Sequence, residues 1–341
     1  MSMHRIRRYR VACTRVLVVV TVAALGAGLA GSSAMAKSLF VGLLDPLASG
    51  SSSGSAGPPP GPGTDAVTAA CANQLRSIDR GPIQDGALNE ISAITAGVRN
   101  PGLYWVHNDS GDSARIFALD QDGAVKHTYS LAGAGAQDWE DIAIGGGPVA
   151  GRSYLYVGDI GDNARQRREV VVYRVPEPTV TGSGTETLKD VDVLRLQYPD
   201  GAHNAEAMLV DPLTGELVII EKTENGGPAR VYRAPAGLVA GSVTTLDLVT
   251  TLTVPAGSSN LVTGADVSAD GRELAVRTYG GVLLWHRDLT SSLWGAWSSP
   301  PCSGPQPEES QGEAIAFYPD GRGYVTVGEG AHQYLHNFVA P

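Results

Sequence analysis

Five acidic residues recur along this chain, each in front of a short run of small and apolar residues. They are Glu90, Asp141, Glu206, Asp266 and Glu313. Carboxylates brought close together raise one another's pKa, and a hard cation with oxygen ligands removes that repulsion. If the fold gathers the five acids at one repeat position, the pattern predicts a Ca²⁺ site. The alternative is that the acids bind backbone N–H groups at strand starts or face water.

A second set of residues could bind or react with a ligand. In an antiparallel pair the first strand starts where the second strand ends, so residues at the two places share one face. Trp139 is expected to give a ligand an apolar wall or, alternatively, to pack between repeats. The set contains His107, Asn108, Asp109, Trp139, Asp162, Asn163, His203, Lys222 and Arg277.

Short β-rich segments separated by Gly, Pro, Asp and Asn fill the chain from residue 68 onward, including Leu103–Val106, Tyr154–Val157 and Tyr324–Val327. Many short strands at even spacing are typical of sandwiches, barrels and propellers. Each acidic opening is followed by further strand-like segments, and four strands in about 50 residues is the size of a propeller blade. We therefore expect an all-β fold, a β-propeller of five four-stranded blades, with six blades as the alternative.

The two ends of the repeats are expected to meet. The last repeat lacks a fourth strand, which residues 74–84 would supply to close the ring. Cys71 would then lie beside the last blade, and Cys302 comes just before Glu313. These positions predict a disulfide between Cys71 and Cys302, and two free or intermolecular thiols are the alternative.

The N-terminal region has the pattern of a secretory signal peptide over residues 1–36. Arginines precede an uncharged apolar run from Val16 to Ala30, and Ala34-Met35-Ala36 fits the cleavage pattern. Residues 37–67 are interpreted as a flexible linker rich in Ser, Gly and Pro, and residues 68–341 as the propeller. We expect a secreted protein. An uncleaved anchor, which would tether it to the cell envelope, is the alternative.

Charge limits the partners. The formal net charge is −10, and the predicted signal peptide contains arginines but no acid, so the mature chain is more acidic still. Such a protein does not suit nucleic acid or an anionic membrane surface. We expect a monomer without a membrane span in its mature form, with a small-molecule or glycan ligand at the mouth of the propeller.

The repeated acid and the loops His107–Asp112 and Asp159–Asn163 resemble those of uncharacterised secreted bacterial β-propeller proteins. They are more distantly similar to calcium-bearing propellers, namely the calcium-activated apyrases, the paraoxonases and the senescence-marker lactonases. In those families acids, amides or hydroxyls of the inner strands hold an axial cation, and hydrolysis occurs at that mouth. The resemblance implies an axial Ca²⁺ but no particular substrate, because no diagnostic catalytic motif of any one family is present.

Two classes of function fit these residues. In a cation-dependent hydrolase of phosphate esters or lactones, Ca²⁺ would polarise the substrate oxygen. Asp109 or Asp162 would then be the general base, and His107, Lys222 and Arg277 would hold an anionic group. In a non-catalytic extracellular propeller, the same face would bind a glycan or a protein. The sequence shows no recognisable nucleophile, and it lacks the His/Cys cluster that zinc prefers.

Overall fold

The computed structural model describes residues 63–341 of the chain. The predicted signal peptide and residues 37–62 of the predicted linker lie outside the described residues. The described part is almost entirely β-structure, with one short helix, α1 (Ala66–Cys71), and two 3-10 turns, Ser258–Asn260 and Leu293–Ser298. Ala66 and Val67, which the sequence assigns to the linker, belong to this helix. No helix among the described residues is long and apolar enough to cross a membrane.

Within residues 63–341, twenty-two strands form five sheets, named blades 1 to 5 in chain order. Each blade has four antiparallel strands from its inner to its outer edge. Blade 1 contains β2 (Ile91–Ala96), β3 (Leu103–Asn108), β4 (Arg115–Asp120) and β5 (Val125–Leu131). Blade 2 contains β6 (Trp139–Gly145), β7 (Tyr154–Asp159), β8 (Val170–Pro176) and β10 (Asp192–Gln197). Blade 3 contains β11 (Ala205–Val210), β12 (Leu217–Glu221), β13 (Gly226–Ala234) and β15 (Asp247–Ala256).

The remaining strands complete the ring. Blade 4 contains β16 (Val262–Val267), β17 (Glu273–Thr278), β18 (Gly281–His286) and β19 (Cys302–Gly304). Blade 5 contains β20 (Gly312–Phe317), β21 (Gly323–Gly328), β22 (Leu335–Val339) and β1 (Arg76–Arg80). Two further strands, β9 (Gly184–Leu188) and β14 (Val243–Thr245), add in parallel to the outer edges of blades 1 and 2. The innermost strands β2, β6, β11, β16 and β20 contact one another in that order and back to β2, which confirms the five-bladed propeller.

Apolar side chains hold the blades together face to face. The buried residues form five hydrophobic clusters, and each cluster joins two neighbouring blades. Helix α1 adds Ala66, Val67 and Ala70 to the cluster between blades 4 and 5. Both faces of a blade are covered by its neighbours, so the residues of a strand are buried on both sides. In Leu217–Glu221, for example, every residue is buried.

The ring closes as the sequence predicts, because strand β1 from the start of the domain pairs with the last strand β22. Cys71, at the end of α1, forms a disulfide with Cys302 in the outer strand of blade 4, with 5.0 Å between their Cα atoms. The closing strand is therefore attached to blade 5 by its ladder and, through α1, to blade 4 by a covalent bond.

Every inner strand has a β-bulge at its second residue, where its register with the next strand shifts. A bulge leaves one residue out of the ladder and re-aims its side chain. The five bulge residues are Ser92, Glu140, Glu206, Thr263 and Glu313.

The predicted equivalence of the five opening acids is wrong for three of them. Glu90 precedes the inner strand, Asp141 follows the bulge, and Asp266 lies near the other end of its strand. Side chains alternate between the two faces of a strand, so a shift of one residue changes what a side chain contacts. In blade 2 it is Glu140, and not its neighbour Asp141, that matches Glu206.

The disulfide is expected to stabilise the ring mainly by restricting the unfolded chain. Its cysteines are separated by 231 residues, and closing so long a loop is worth roughly 5 kcal/mol in the chain-entropy model. Denaturant unfolding of the oxidised protein and of a Cys71→Ser/Cys302→Ser variant measures the difference in free energy of unfolding.

The wild type unfolded with reductant present serves as control, because it should match the double variant. Two reactive thiols per chain in denatured, unreduced protein would show that the bond does not form.

Candidate functional site

One end of the central channel is a polar cavity of about 190 Å³, which we call the acidic mouth. The starts of the inner strands and the ends of the second strands meet there, as the antiparallel pairing requires. Its lining residues are Ile91, Ser92, Asp109, Glu140, Asn163, Glu206, Lys222, Tyr279, Gln311, Glu313 and Glu329.

The bulges determine which groups face this cavity. The glutamates at bulge positions, Glu140, Glu206 and Glu313, are buried at its wall. The two bulge hydroxyls instead connect neighbouring inner strands, because Ser92 Oγ donates to the Glu140 carbonyl at 2.7 Å and Thr263 Oγ1 donates to a carbonyl of blade 5 at 2.8 Å. The short side chains are thus used for structure, and the long acidic ones are left to the cavity.

Asp109 and Glu140, which line the mouth, form a carboxylate cluster with Asp138, and one oxygen of each lies within 4.8 Å of the others. Gly161 makes this approach possible, since a Cβ atom at Gly161 would collide with Glu140 and lie 2.5 Å from the Asp138 carboxylate. Among the described residues, no hydrogen-bond donor and no basic side chain pairs with the Glu140 carboxylate, although Glu140 is only 4% exposed. Glu140 is therefore a buried acid without a protein partner.

Among the described residues that line the acidic mouth, Lys222 is the one basic group. Lys222 Nζ forms an ion pair with Glu206 and donates a hydrogen bond to the Tyr279 hydroxyl at 2.7 Å. Burial opposes the charge of Lys222, but the attraction of Glu206 and these hydrogen bonds outweigh it and raise its pKa. Lys222 thus remains a fixed cation that neutralises one of the glutamates.

The carboxylates of the mouth hold protons more tightly than ordinary acids. Burial raises the pKa of Glu206 to about 7, against the opposing effect of Lys222. Burial and the neighbouring Glu206 raise the pKa of Glu313 to about 8. The pKa of Glu140 is raised well above its usual range by burial and then by Glu206, Asp109 and Asp138. The site therefore favours any positive charge, whether a proton or a metal ion.

Two of the predicted metal ligands lie deeper in the channel and bind the backbone. Asp141 Oδ2 accepts hydrogen bonds from Met208 N at 2.7 Å and Ala265 N at 3.3 Å, so it joins blades 2, 3 and 4. Asp266 Oδ2 accepts from Phe317 N at 2.7 Å, which joins blades 4 and 5. Of the five opening acids, only Glu206 and Glu313 line the acidic mouth.

Three of the other predicted site residues also line it, namely Asp109, Asn163 and Lys222. His107 is fully buried with its ring 5.3 Å from that of Trp139, and burial lowers its pKa to about 4, so it is neutral. Trp139 is itself buried and donates to the Gly135 carbonyl at 2.9 Å, so it packs between blades and gives the mouth no apolar wall.

The remaining predicted residues serve local structure. Arg277 is fully buried and pairs with Glu309, outside the lining of the mouth. His203 lies between Glu221 and Asp200, at 3.1 Å from each. The other two residues complete their own loops: Asn108 Nδ2 donates to the Ala87 carbonyl and to Asp112, and Asp162 accepts from Arg167 N.

Sequence reasoning missed Glu140, Tyr279 and Gln311 as members of the site. A signal for Glu140 exists, because aligning it with Glu206 and Glu313 also matches Ile142–Ile144 to the apolar residues of those strands, with Asp141 as the polar exception. Tyr279 lies one residue beyond β17, where no repeated pattern marks it. Gln311 lies directly before β20 and donates to Glu313 and Glu329.

No family model matches the sequence, and no curated protein is similar to it. Among solved structures, the crystal structure of Raptor from Chaetomium thermophilum is similar, with a TM-score of 0.41 and 11% sequence identity. The match covers 79% of this chain and 30% of that chain. The similarity to calcium-bearing propellers that the sequence implies therefore stays a prediction.

The raised pKa values predict how the metal-free protein responds to pH. Because Glu313 has a pKa of about 8 when folded and about 4.5 when unfolded, its protonated form stabilises the fold fully below pH 4.5. That contribution is lost as the pH rises to and above 8. In chelator, Glu313→Gln should be more stable than wild type at pH 9 by on the order of 2 kcal/mol, with little difference at pH 5.

Thermal unfolding at both pH values measures this, and Glu186→Gln on the exposed strand β9 is the matched control. Equal pH dependence in wild type and Glu313→Gln would contradict the assignment.

Proposed function

We propose that this protein is a secreted Ca²⁺-binding β-propeller whose acidic mouth holds the ion. The observation that carries the proposal is the Asp109–Asp138–Glu140 cluster, in which the buried Glu140 carboxylate has no protein partner among the described residues. Ionising a buried carboxyl without a counter-charge is unfavourable, which is why the pKa of Glu140 is raised. A hard cation bound by carboxylate oxygens removes that penalty.

The spacing of the cluster suits calcium. Oxygen ligands lie about 2.4 Å from Ca²⁺, so two ligands of one ion are at most about 4.8 Å apart. The oxygens of Asp109, Asp138 and Glu140 satisfy this limit. Asp109 directly follows β3, Asp138 directly precedes β6, and Glu140 is the second residue of β6. The inner strands of blades 1 and 3 contact β6 and hold it in place. When bound, the ion would supply positive charge and open coordination positions to a ligand in the cavity.

Secretion is supported by two independent features. The sequence has the pattern of a signal peptide over residues 1–36. The disulfide between Cys71 and Cys302 suits an oxidising compartment. Extracellular fluids also contain enough Ca²⁺ to fill sites of modest affinity.

The geometry favours ion binding over hydrolysis of an anionic substrate. Of the three basic residues predicted to hold an anionic group, only Lys222 lines the cavity, and its charge is already paired with Glu206. His107 and Arg277 are fully buried in the protein. The non-catalytic alternative, in which the ion and the mouth bind a glycan or protein, therefore needs fewer additional groups.

Calcium binding should raise the melting temperature of ion-stripped protein, because the site exists only in the folded state. Mass action gives about 2.7 kcal/mol when free Ca²⁺ exceeds the dissociation constant a hundredfold. Glu140→Gln should weaken Ca²⁺ binding at least tenfold in isothermal titration calorimetry. Glu186→Gln is the matched control and should bind like wild type. Identical melting curves with Ca²⁺ and with chelator would refute the proposal.

Lys222 competes with the ion for the carboxylates of the mouth, which gives a second prediction of opposite sign. Lys222→Met frees Glu206 and removes one positive charge from the cavity. Ca²⁺ affinity should therefore increase about tenfold in the same titration. An unchanged or weaker affinity would place the ion away from this cavity.

A panel of phosphate-ester, lactone and carboxyl-ester substrates, with Ca²⁺ added or chelated, tests the hydrolase alternative. We expect no turnover that depends on the ion. The contrary result is turnover that depends on Ca²⁺ and that is lost in Lys222→Met, although this variant still binds the ion. That result would assign Lys222 to the binding of an anionic substrate, and the protein would be an enzyme.

A further inference from the structure

The other end of the channel opens into a second cavity of about 400 Å³, which we call the distal cavity. It lies where the inner strands end and the turns to the second strands begin. Most of its lining is apolar, with Ala96, Ile144, Val267, Phe317 and Pro319 among the contributors. A volume of this size, apolar walls and few polar groups are typical of small-molecule sites.

One carboxylate lies in this apolar lining. Asp266 contributes to the wall of the distal cavity, and its carboxylate accepts two backbone hydrogen bonds, from Phe317 N at 2.7 Å to Oδ2 and from Val267 N. Among the described residues, no basic side chain forms an ion pair with Asp266 and no side-chain donor bonds to it. The carboxylate thus retains acceptor capacity towards the cavity.

The rim of the distal cavity is apolar as well. Val98, Val149 and Leu213 are 56%, 54% and 50% exposed, and they belong to the turns after the inner strands of blades 1, 2 and 3. Val98 lines the cavity, and the other two lie in turns whose neighbouring residues line it. Exposed apolar residues gathered around an opening mark a site that contacts an apolar partner.

We infer that the distal cavity binds a small apolar molecule carrying one protonated amine. The hydrocarbon part would be buried against the apolar lining, and the ammonium group would donate a hydrogen bond to the Asp266 carboxylate. An ammonium–carboxylate bond out of water is among the stronger hydrogen bonds. A molecule of the same shape without the positive charge would leave the carboxylate unpaired and would bind less tightly.

Three probes of similar shape test the charge preference by titration calorimetry: benzylamine, benzyl alcohol and benzoate. The titrations are made at pH 8, above the pKa of about 7 that burial gives Asp266. Benzylamine should bind at least tenfold more tightly than benzyl alcohol, and benzoate should not bind. Arg152 is the one basic residue among the described residues that line the cavity, so tightest binding of benzoate would assign the site to Arg152 and overturn the inference.

Two variants locate the site. Asp266→Asn keeps a carbonyl oxygen for Phe317 N and should weaken benzylamine at least tenfold. Gly146→Phe fills the cavity, because a Cβ atom at Gly146 meets open space, and should abolish binding of both amine and alcohol. Gly146→Phe also tests the inference if the Asp266→Asn variant does not fold.

The acidic mouth could attract an amine through charge alone, so Glu140→Gln is the matched control. Benzylamine affinity should be unchanged in Glu140→Gln. Loss of binding in Glu140→Gln, with wild-type binding in Asp266→Asn and Gly146→Phe, would place the amine at the other end of the channel and overturn the inference.

Discussion

The inner edge of each blade has no strand to pair with, and the channel is built around this fact. Backbone groups at a sheet edge need partners when water is excluded. Asp141 supplies an acceptor to the inner strands of two other blades, and Asp266 supplies one to blade 5. Ser92 and Thr263 donate across the same gap. The polar residues of the channel are, in the first place, a substitute for the missing strand.

This requirement separates the acids of the channel into two groups. Asp141 and Asp266 are hydrogen-bonded to backbone N–H groups of other blades, which stabilises the closed ring. At the acidic mouth, Asp109 accepts from Ser110 N and Glu206 pairs with Lys222, but the Glu140 carboxylate has no such partner among the described residues. Acidic side chains therefore hold blades together within the channel and remain available for a ligand at its mouth.

The sequence was sufficient to predict the architecture, because the strand pattern recurs in every repeat and the two cysteines of the mature chain have only each other as partners. Four-strand spacing indicated the blades, and the incomplete last repeat indicated that the first strand closes the ring. With only Cys71 and Cys302 left after the signal peptide, the disulfide partners followed from their positions. The bulges could not be predicted, since a shift of one residue is invisible where Glu140 and Asp141 are adjacent acids. The burial of His107 and Arg277 depends on neighbouring blades and carries no local signal. The distal cavity arises from the lengths of side chains that converge from several strands, which no single segment encodes.

The order of attachments at the start of the domain has a mechanical consequence. A chain pulled from its N-terminal side reaches α1 and Cys71 before it reaches β1. The disulfide gives this tension a covalent path into the outer strand of blade 4, in parallel with the path along the backbone to β1. The covalent bond therefore shares the load with the strand that closes the ring and opposes its being peeled away from β22.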